Sequence, residues 1–128
     1  MLLTLLSGKI HRATVTEACV DYEGSISIDE NLLTAAGIRP YERVEVYNVT
    51  TGARFATYAI VAPAGSGTIG VNGAAAHLAG KGHLVIIAAY AQMTPEEAEL
   101  HRPRLVFVDA ANRVKDRRHV ETPSTVTV

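Results

Sequence analysis

H-L-V-I-I-A-A-Y-A, residues 83–91, is the most apolar stretch of the chain. Gly80-Lys81-Gly82 turns the chain just before it, and valine and isoleucine dominate its first half. A short apolar run bounded by turn residues reads as the central strand of a sheet. The clean apolar part, residues 84–91, is far short of the roughly 20 residues that a membrane-spanning helix needs. Working outward, residues 42–49 alternate, with Val44, Val46 and Asn48 on one face and Glu45 and Tyr47 on the other. Thr51-Gly52 then turns, and residues 54–61 read as the returning strand of a hairpin.

The remaining stretches extend the β pattern. Residues 2–20 read as one or two strands, with Ile10, Val15 and Val20 as core candidates, and residues 68–71 and 104–108 as further short strands. Two helices carry explicit start signals. Asp29 can cap a helix over residues 30–36, with Gly37 placed to end it. Thr94-Pro95-Glu96-Glu97 is a capping box with proline at the first helical position, and Pro103 keeps that helix short. The expectation is a mainly β domain over residues 1–111: six or so strands and a few short helices in a small closed or nearly closed barrel. From Asn112 to Val128 the chain turns polar, with Pro123 and several threonines, and is expected to be a flexible tail.

Composition excludes several classes of function. The 128 residues are 48% hydrophobic and 20% charged, with a net charge of −1, an ordinary globular balance. That balance gives no electrostatic case for nucleic acid or an anionic membrane as partner. One cysteine, Cys19, excludes an intrachain disulfide and any multi-cysteine metal centre. The five histidines lack metal-ligand spacing, so no metal is expected. Residues 1–6 are apolar but lack the charged start and cleavage site of a secretion signal, so the cytoplasm is the expected location. Phosphate loops, dinucleotide fingerprints and nucleophile elbows are absent.

Four local features could carry chemistry, and each also has an ordinary reading. Gly24-Ser25, in Tyr22-Glu23-Gly24-Ser25, reads as a plain turn. Equally, a glycine can hold a strained carbonyl against the next hydroxyl, so that Ser25 Oγ attacks the Gly24 carbonyl and turns the amide into an ester. Arg54 and Tyr58 share one face of a strand and Thr57 the other. Arg54 is either merely exposed or a clamp for a carboxylate, with Tyr58 as a proton donor beside it. Asn72-Gly73-Ala74-Ala75-Ala76-His77 is either a tight turn or a backbone cradle for an anion. Lys9 and His11 share a strand face, solvated or forming a polar patch.

Taken together and in order, these segments resemble one family. The matching stretches are G-K-I-H-R-A-T-V-T (residues 8–16), D-Y-E-G-S (21–25), N-V-T-T-G-A-R-F-A-T-Y-A-I (48–60) and G-V-N-G-A-A-A-H (70–77). The sequence resembles the pyruvoyl-dependent aspartate 1-decarboxylases, over residues 1 to about 110.

The resemblance implies a double-psi β-barrel and a homotetramer with sites between subunits. It implies a proenzyme that cleaves itself between Gly24 and Ser25, giving a β chain of residues 1–24 and an α chain of residues 25–128. Thr57 would assist cleavage, and elimination from the Ser25 ester would leave a pyruvoyl group as covalent cofactor. That group would form a Schiff base with L-aspartate and give β-alanine and CO2 for pantothenate synthesis. Tyr58 would be the proton donor, Arg54 and Lys9 would anchor carboxylate, and Thr57, Asn72, Gly73, Ala74 and Ala75 would contact substrate, with His11 a weaker second contact. Some members of the family need a maturation factor. Two other readings stay open at this level: an uncleaved β-barrel binding module, and a hydrolase using Ser25 as a plain nucleophile.

Overall fold

The computed structural model describes residues 1–122 and is mainly β. Its elements are β1 (Leu3–Thr14), β2 (Glu17–Cys19), β3 (Ser25–Asp29), α1 (Glu30–Ala36), β4 (Arg43–Asn48), β5 (Arg54–Ala62), β6 (Ile69–Asn72), β7 (Leu84–Met93), α2 (Pro95–Leu100), β8 (Arg104–Val108) and β9 (Val114–Arg118), with a 3-10 turn over Gly73–His77. The nine strands form one sheet in the order β2-β6-β3-β5-β4-β7-β1-β8-β9. β7 lies inside the sheet between β4 and β1, as the apolar run predicts, and pairs antiparallel with both. Among the described residues, no helix is long and apolar enough to cross a membrane.

Connectivity forces this sheet to curl. β2 stands at one end of the order and β1 six places away, which in a flat sheet is about 29 Å at the usual strand spacing. Yet only Val15 and Thr16 join them, and so short a link spans about 11 Å at most. The sheet therefore wraps round, an arrangement compatible with the expected barrel. The closing corner is stitched by Val15 N–H to the His83 carbonyl at 2.9 Å and Thr16 N–H to the Ile69 carbonyl at 2.9 Å. Ile10, Ile26, Ile28, Val46, Ile69, Val71, Val85 and Ile87 fill the interior, all fully buried.

Local signals behave as their chemistry dictates. Asp29 Oδ1 accepts from Asn31 N–H at the start of α1, and Gly37 closes the helix at φ 69°. Thr94 and Glu97 form the reciprocal capping box of α2. Val44, Val46 and Asn48 are all buried, as alternation predicts.

Two expectations are corrected. The strands number nine rather than six or so, because the three-residue β2 is too short to show periodicity and β9 is polar. The expected tail from Asn112 is ordered in its first part. Asn112 is buried, its amide holding the Thr14 and Gly67 carbonyls at 2.8 Å each, and β9 pairs antiparallel with β8. β9 is a polar edge strand whose hydrogen bonds go to β8, so hydropathy does not reveal it. Residues 123–128 of that expected tail lie outside the described residues.

Candidate active site

Ser25 opens β3 at the point where β6 ends, and the antiparallel register sets it opposite Asn72. Gly24 is exposed whereas Ser25 is 3% exposed, so the peptide bond between them lies at the rim of the core. Asn72 Nδ2 donates to Ser25 Oγ at 3.2 Å and to Ser27 Oγ at 3.1 Å. A primary amide has two N–H bonds, so one side chain can serve both hydroxyls. Gly73 follows at φ 72°, where side chains are disfavoured, and a Cβ there would lie 2.6 Å from Gly24 Cα and 2.8 Å from Gly24 N. The two glycine backbones therefore abut, and Gly73 forms one wall behind the Gly24-Ser25 bond.

β5 flanks β3 on its other side. Ile26 is in register with Ala59 in a parallel pair. One step back along both strands sets Ser25 beside Tyr58, with Thr57 next. Tyr58 is 39% exposed and stacks near Tyr41, ring centroids 6.4 Å apart, while Thr57 is half-buried. The fold thus gathers Gly24, Ser25, Thr57, Tyr58, Asn72 and Gly73 where the start of β3 and the end of β6 meet the middle of β5. Ala74 and Ala75 continue from Gly73 in the 3-10 turn.

Lys9, His11 and Arg54 sit elsewhere. Arg54 starts β5 four residues before Tyr58, roughly 13 Å along the strand. Its guanidinium lies 4.0 Å from the centroid of the Tyr47 ring. The Tyr47 hydroxyl in turn meets that of Tyr90 at 2.7 Å. Partial burial, then this bond, pushes the Tyr90 phenol up to about 12. Lys9 lies on β1 between β7 and β8, in register with Ala88 and Leu105. It is buried rather than solvated, and its Nζ meets Glu121 Oε2 at 2.9 Å. His11 packs on Phe107 at 5.3 Å between ring centroids, and its buried Nδ1 has no hydrogen-bond partner among the described residues. Burial, then the positive charges of Lys9 and Arg12, holds the His11 ring below the usual histidine range. Among the described residues, no ion pair or hydrogen bond joins Lys9, His11 or Arg54 to Ser25.

Comparison with known proteins bears on this arrangement. A family model described as aspartate decarboxylase matches residues 1–115. The chain belongs to the aspartate decarboxylase family. It is accordingly an enzyme, a decarboxylase. It is 59% identical over 115 residues to "Aspartate 1-decarboxylase" of Caulobacter vibrioides, covering 90% of this chain and 98% of that one. The corresponding protein of Phenylobacterium zucineum is 57% identical over 115 residues, with the same coverage. That of Thioalkalivibrio sulfidiphilus is 59% identical over 114 residues, 89% of this chain and 90% of that one.

Three participants escaped the sequence reading. Ser27 shares Asn72 with Ser25, and its i+2 spacing on a strand is a signal that could have found it. Tyr47 carries the Arg54 guanidinium, but only the cross-strand register reveals that pairing. Glu121 meets Lys9 across 112 positions of sequence, with no local signal at all.

Proposed function

We propose that this chain is a self-processing, pyruvoyl-dependent decarboxylase that converts L-aspartate to β-alanine and CO2, feeding pantothenate synthesis. The observation that carries the reading is the clamp on Gly24-Ser25: an amide donor on Ser25 Oγ and a glycine wall behind Gly24.

The residues present fit the formation of that cofactor. Ser25 Oγ belongs to the residue that directly follows the Gly24 carbonyl, and Gly24 has no side chain to block the approach. Attack by Oγ on the carbonyl carbon expels the Ser25 nitrogen and gives an ester. Thr57, one residue beyond the Ser25–Tyr58 register, is the expected donor to the oxyanion. Loss of the Ser25 α-proton then breaks the Cβ–O bond, and Gly24 departs as a carboxylate. Water replaces nitrogen at the resulting dehydroalanine, releasing ammonia.

When present, the pyruvoyl group supplies an electron sink for the carbanion that decarboxylation leaves. The chain's own residues position and protonate. Tyr58, exposed beside position 25, is the proton donor to that carbon. Asn72, Gly73, Ala74 and Ala75 line the adjoining cradle and contact substrate. Arg54 and Lys9 anchor carboxylate. Their separation from Ser25 within one chain favours sites shared between copies in a homotetramer, where one subunit supplies the clamp and its neighbour the cations. The double-psi topology, the cytoplasm as location and a maturation factor as possible partner belong to the same reading.

Denaturing intact mass of the purified protein tests it. The expected result is two fragments split after Gly24, the larger lighter by one ammonia than a serine-ended fragment, together with β-alanine formed from L-aspartate. A single full-length chain that decarboxylates L-aspartate overturns it. Ser25→Ala should stay one folded, inactive chain.

A further inference from the structure

A cleft of about 680 Å³ lies away from Ser25, between α1 and the β8–β9 hairpin. Arg104, Arg113, Arg117, Arg118 and His119 line it, with Asn31 and Thr34 of α1 opposite. The chain as a whole carries a net charge of −1, so this concentration of guanidinium groups is local.

The cleft holds little to balance them. Its one acid is Asp29, which is 3% exposed and held by the chain itself. Asp29 Oδ1 accepts from Asn31 N–H at 2.8 Å and Gly65 N–H at 3.0 Å, and Oδ2 from Gly67 N–H at 2.8 Å. Arg118 reaches Asp116 at 2.7 Å and lies 4.3 Å from the centroid of the Phe107 ring. Among the described residues, no carboxylate oxygen lies within 4.0 Å of the guanidinium nitrogens of Arg104, Arg113 or Arg117, although the backbone N–H of Arg113 donates to Asp109 Oδ1 at 3.0 Å and that of Arg117 to Asp116 Oδ1 at 2.9 Å.

We propose that this cleft binds a small metabolite bearing a diphosphate group. Guanidinium forks match phosphate oxygens two at a time, and several of them on one concave wall favour a ligand with more than one adjacent negative charge. The volume falls within the few hundred to about 1,000 Å³ usual for small-molecule sites. Among the described residues, no aromatic ring other than the His119 imidazole lines the cleft, so recognition falls on the phosphates rather than on a stacked base. Arg117, Arg118 and His119 lie beyond residue 115, where the family match ends, so membership of the family does not carry this site. The site is also independent of the self-cleavage reading.

The test is calorimetric titration of the full-length protein with inorganic diphosphate, then with inorganic phosphate, at low and at moderate salt. Expected is saturable binding, one diphosphate per chain, weaker in added salt. It should fall by about tenfold or more in the double variant Arg113→Gln/Arg117→Gln. It should be unchanged in Arg43→Gln, whose guanidinium pairs with Glu45 on β4 outside the cleft. No saturable binding, equal affinity for monophosphate, or equal weakening by Arg43→Gln would overturn the site. Should the double variant fail to fold, the wild-type chain decides: the Nε–H resonances of Arg113 and Arg117 shift on titration and that of Arg43 does not, or the proposal fails.

Discussion

Lys9 Nζ lies 2.9 Å from Glu121 Oε2, so a buried cation of β1 is neutralised by a residue just beyond β9. Lysine is rarely buried without a partner. If Lys9 anchors substrate carboxylate, Glu121 occupies the place of that carboxylate. Glu121→Gln should then lower KM for L-aspartate by roughly fivefold, the equivalent of about 1 kcal/mol for a partly exposed ion pair, with kcat unchanged. Steady-state kinetics on the processed enzyme measure this, and an unaltered KM would show that the two carboxylates do not compete.

Gly73 bears on cleavage through its backbone alone. At φ 72°, with Gly24 Cα 2.6 Å from where a Cβ would stand, alanine has no space without moving the Gly24-Ser25 bond. Gly73→Ala should fold and yet cleave at least about tenfold more slowly, since the left-handed conformation adds about 1 kcal/mol and the wall displaces the reacting carbonyl. Fragment mass against incubation time follows the rate, and wild-type cleavage would remove Gly73 from the clamp.

Asn48 is a structural keystone of the β4–β5 hairpin. It is 2% exposed; its carbonyl accepts from Thr50 and Thr51 N–H at 2.9 and 3.1 Å, and its amide reaches the Leu78 carbonyl and His83 Nδ1, each at 3.0 Å. Asn48→Ala leaves buried groups unpaired and should cost about 2–4 kcal/mol. Urea denaturation monitored by circular dichroism provides the number, and a loss below about 1 kcal/mol would mean that water replaces the side chain.

The lowered pKa of the His11 ring sets a direction for acid sensitivity. Its folded pKa lies below the ordinary histidine value of 6.5, owing to burial first and then to Lys9, Arg12 and Arg118, against an opposing effect from Glu121. A depressed folded value means that its contribution is complete above the unfolded pKa and is lost as pH falls through the folded one. Wild-type stability should therefore drop more steeply below about pH 6.5 than that of His11→Phe, which carries no titrating ring. Parallel curves in denaturant titrations across that range would contradict this.

Tyr90 should ionise late. Its phenol is pushed up to about 12 by partial burial and by the Tyr47 bond, so the neutral form is favoured in the fold. The stabilisation is complete below the ordinary value of 10.0 and is lost as pH rises through about 12. Ultraviolet titration should show the delayed Tyr90 phenol, and Tyr47→Phe should bring it earlier. A titration curve unaffected by Tyr47→Phe would break the link between the two rings.

The sequence by itself determined the pieces that rest on neighbouring residues. Asp29 and Gly37 bound α1, Thr94 and Glu97 start α2, and alternation buries Val44, Val46 and Asn48, because caps and strand faces depend on residues a few positions apart. Ordered motifs also pointed to the family, and with it to Gly24, Ser25, Thr57 and Tyr58 as a set. Tertiary structure alone decided what meets across strands. Asn72 faces Ser25 because β6 runs antiparallel to β3, Gly73 backs Gly24, and Tyr47 carries Arg54 through the β4–β5 register. The Lys9–Glu121 pair and the arginine cleft are further still from any local pattern. β9 escaped for the same reason: its strand is defined by hydrogen bonds to β8, while its side chains beyond Val114 are charged and exposed. Register is a long-range property, fixed by how the whole sheet buries its apolar face, and no short stretch of sequence contains it.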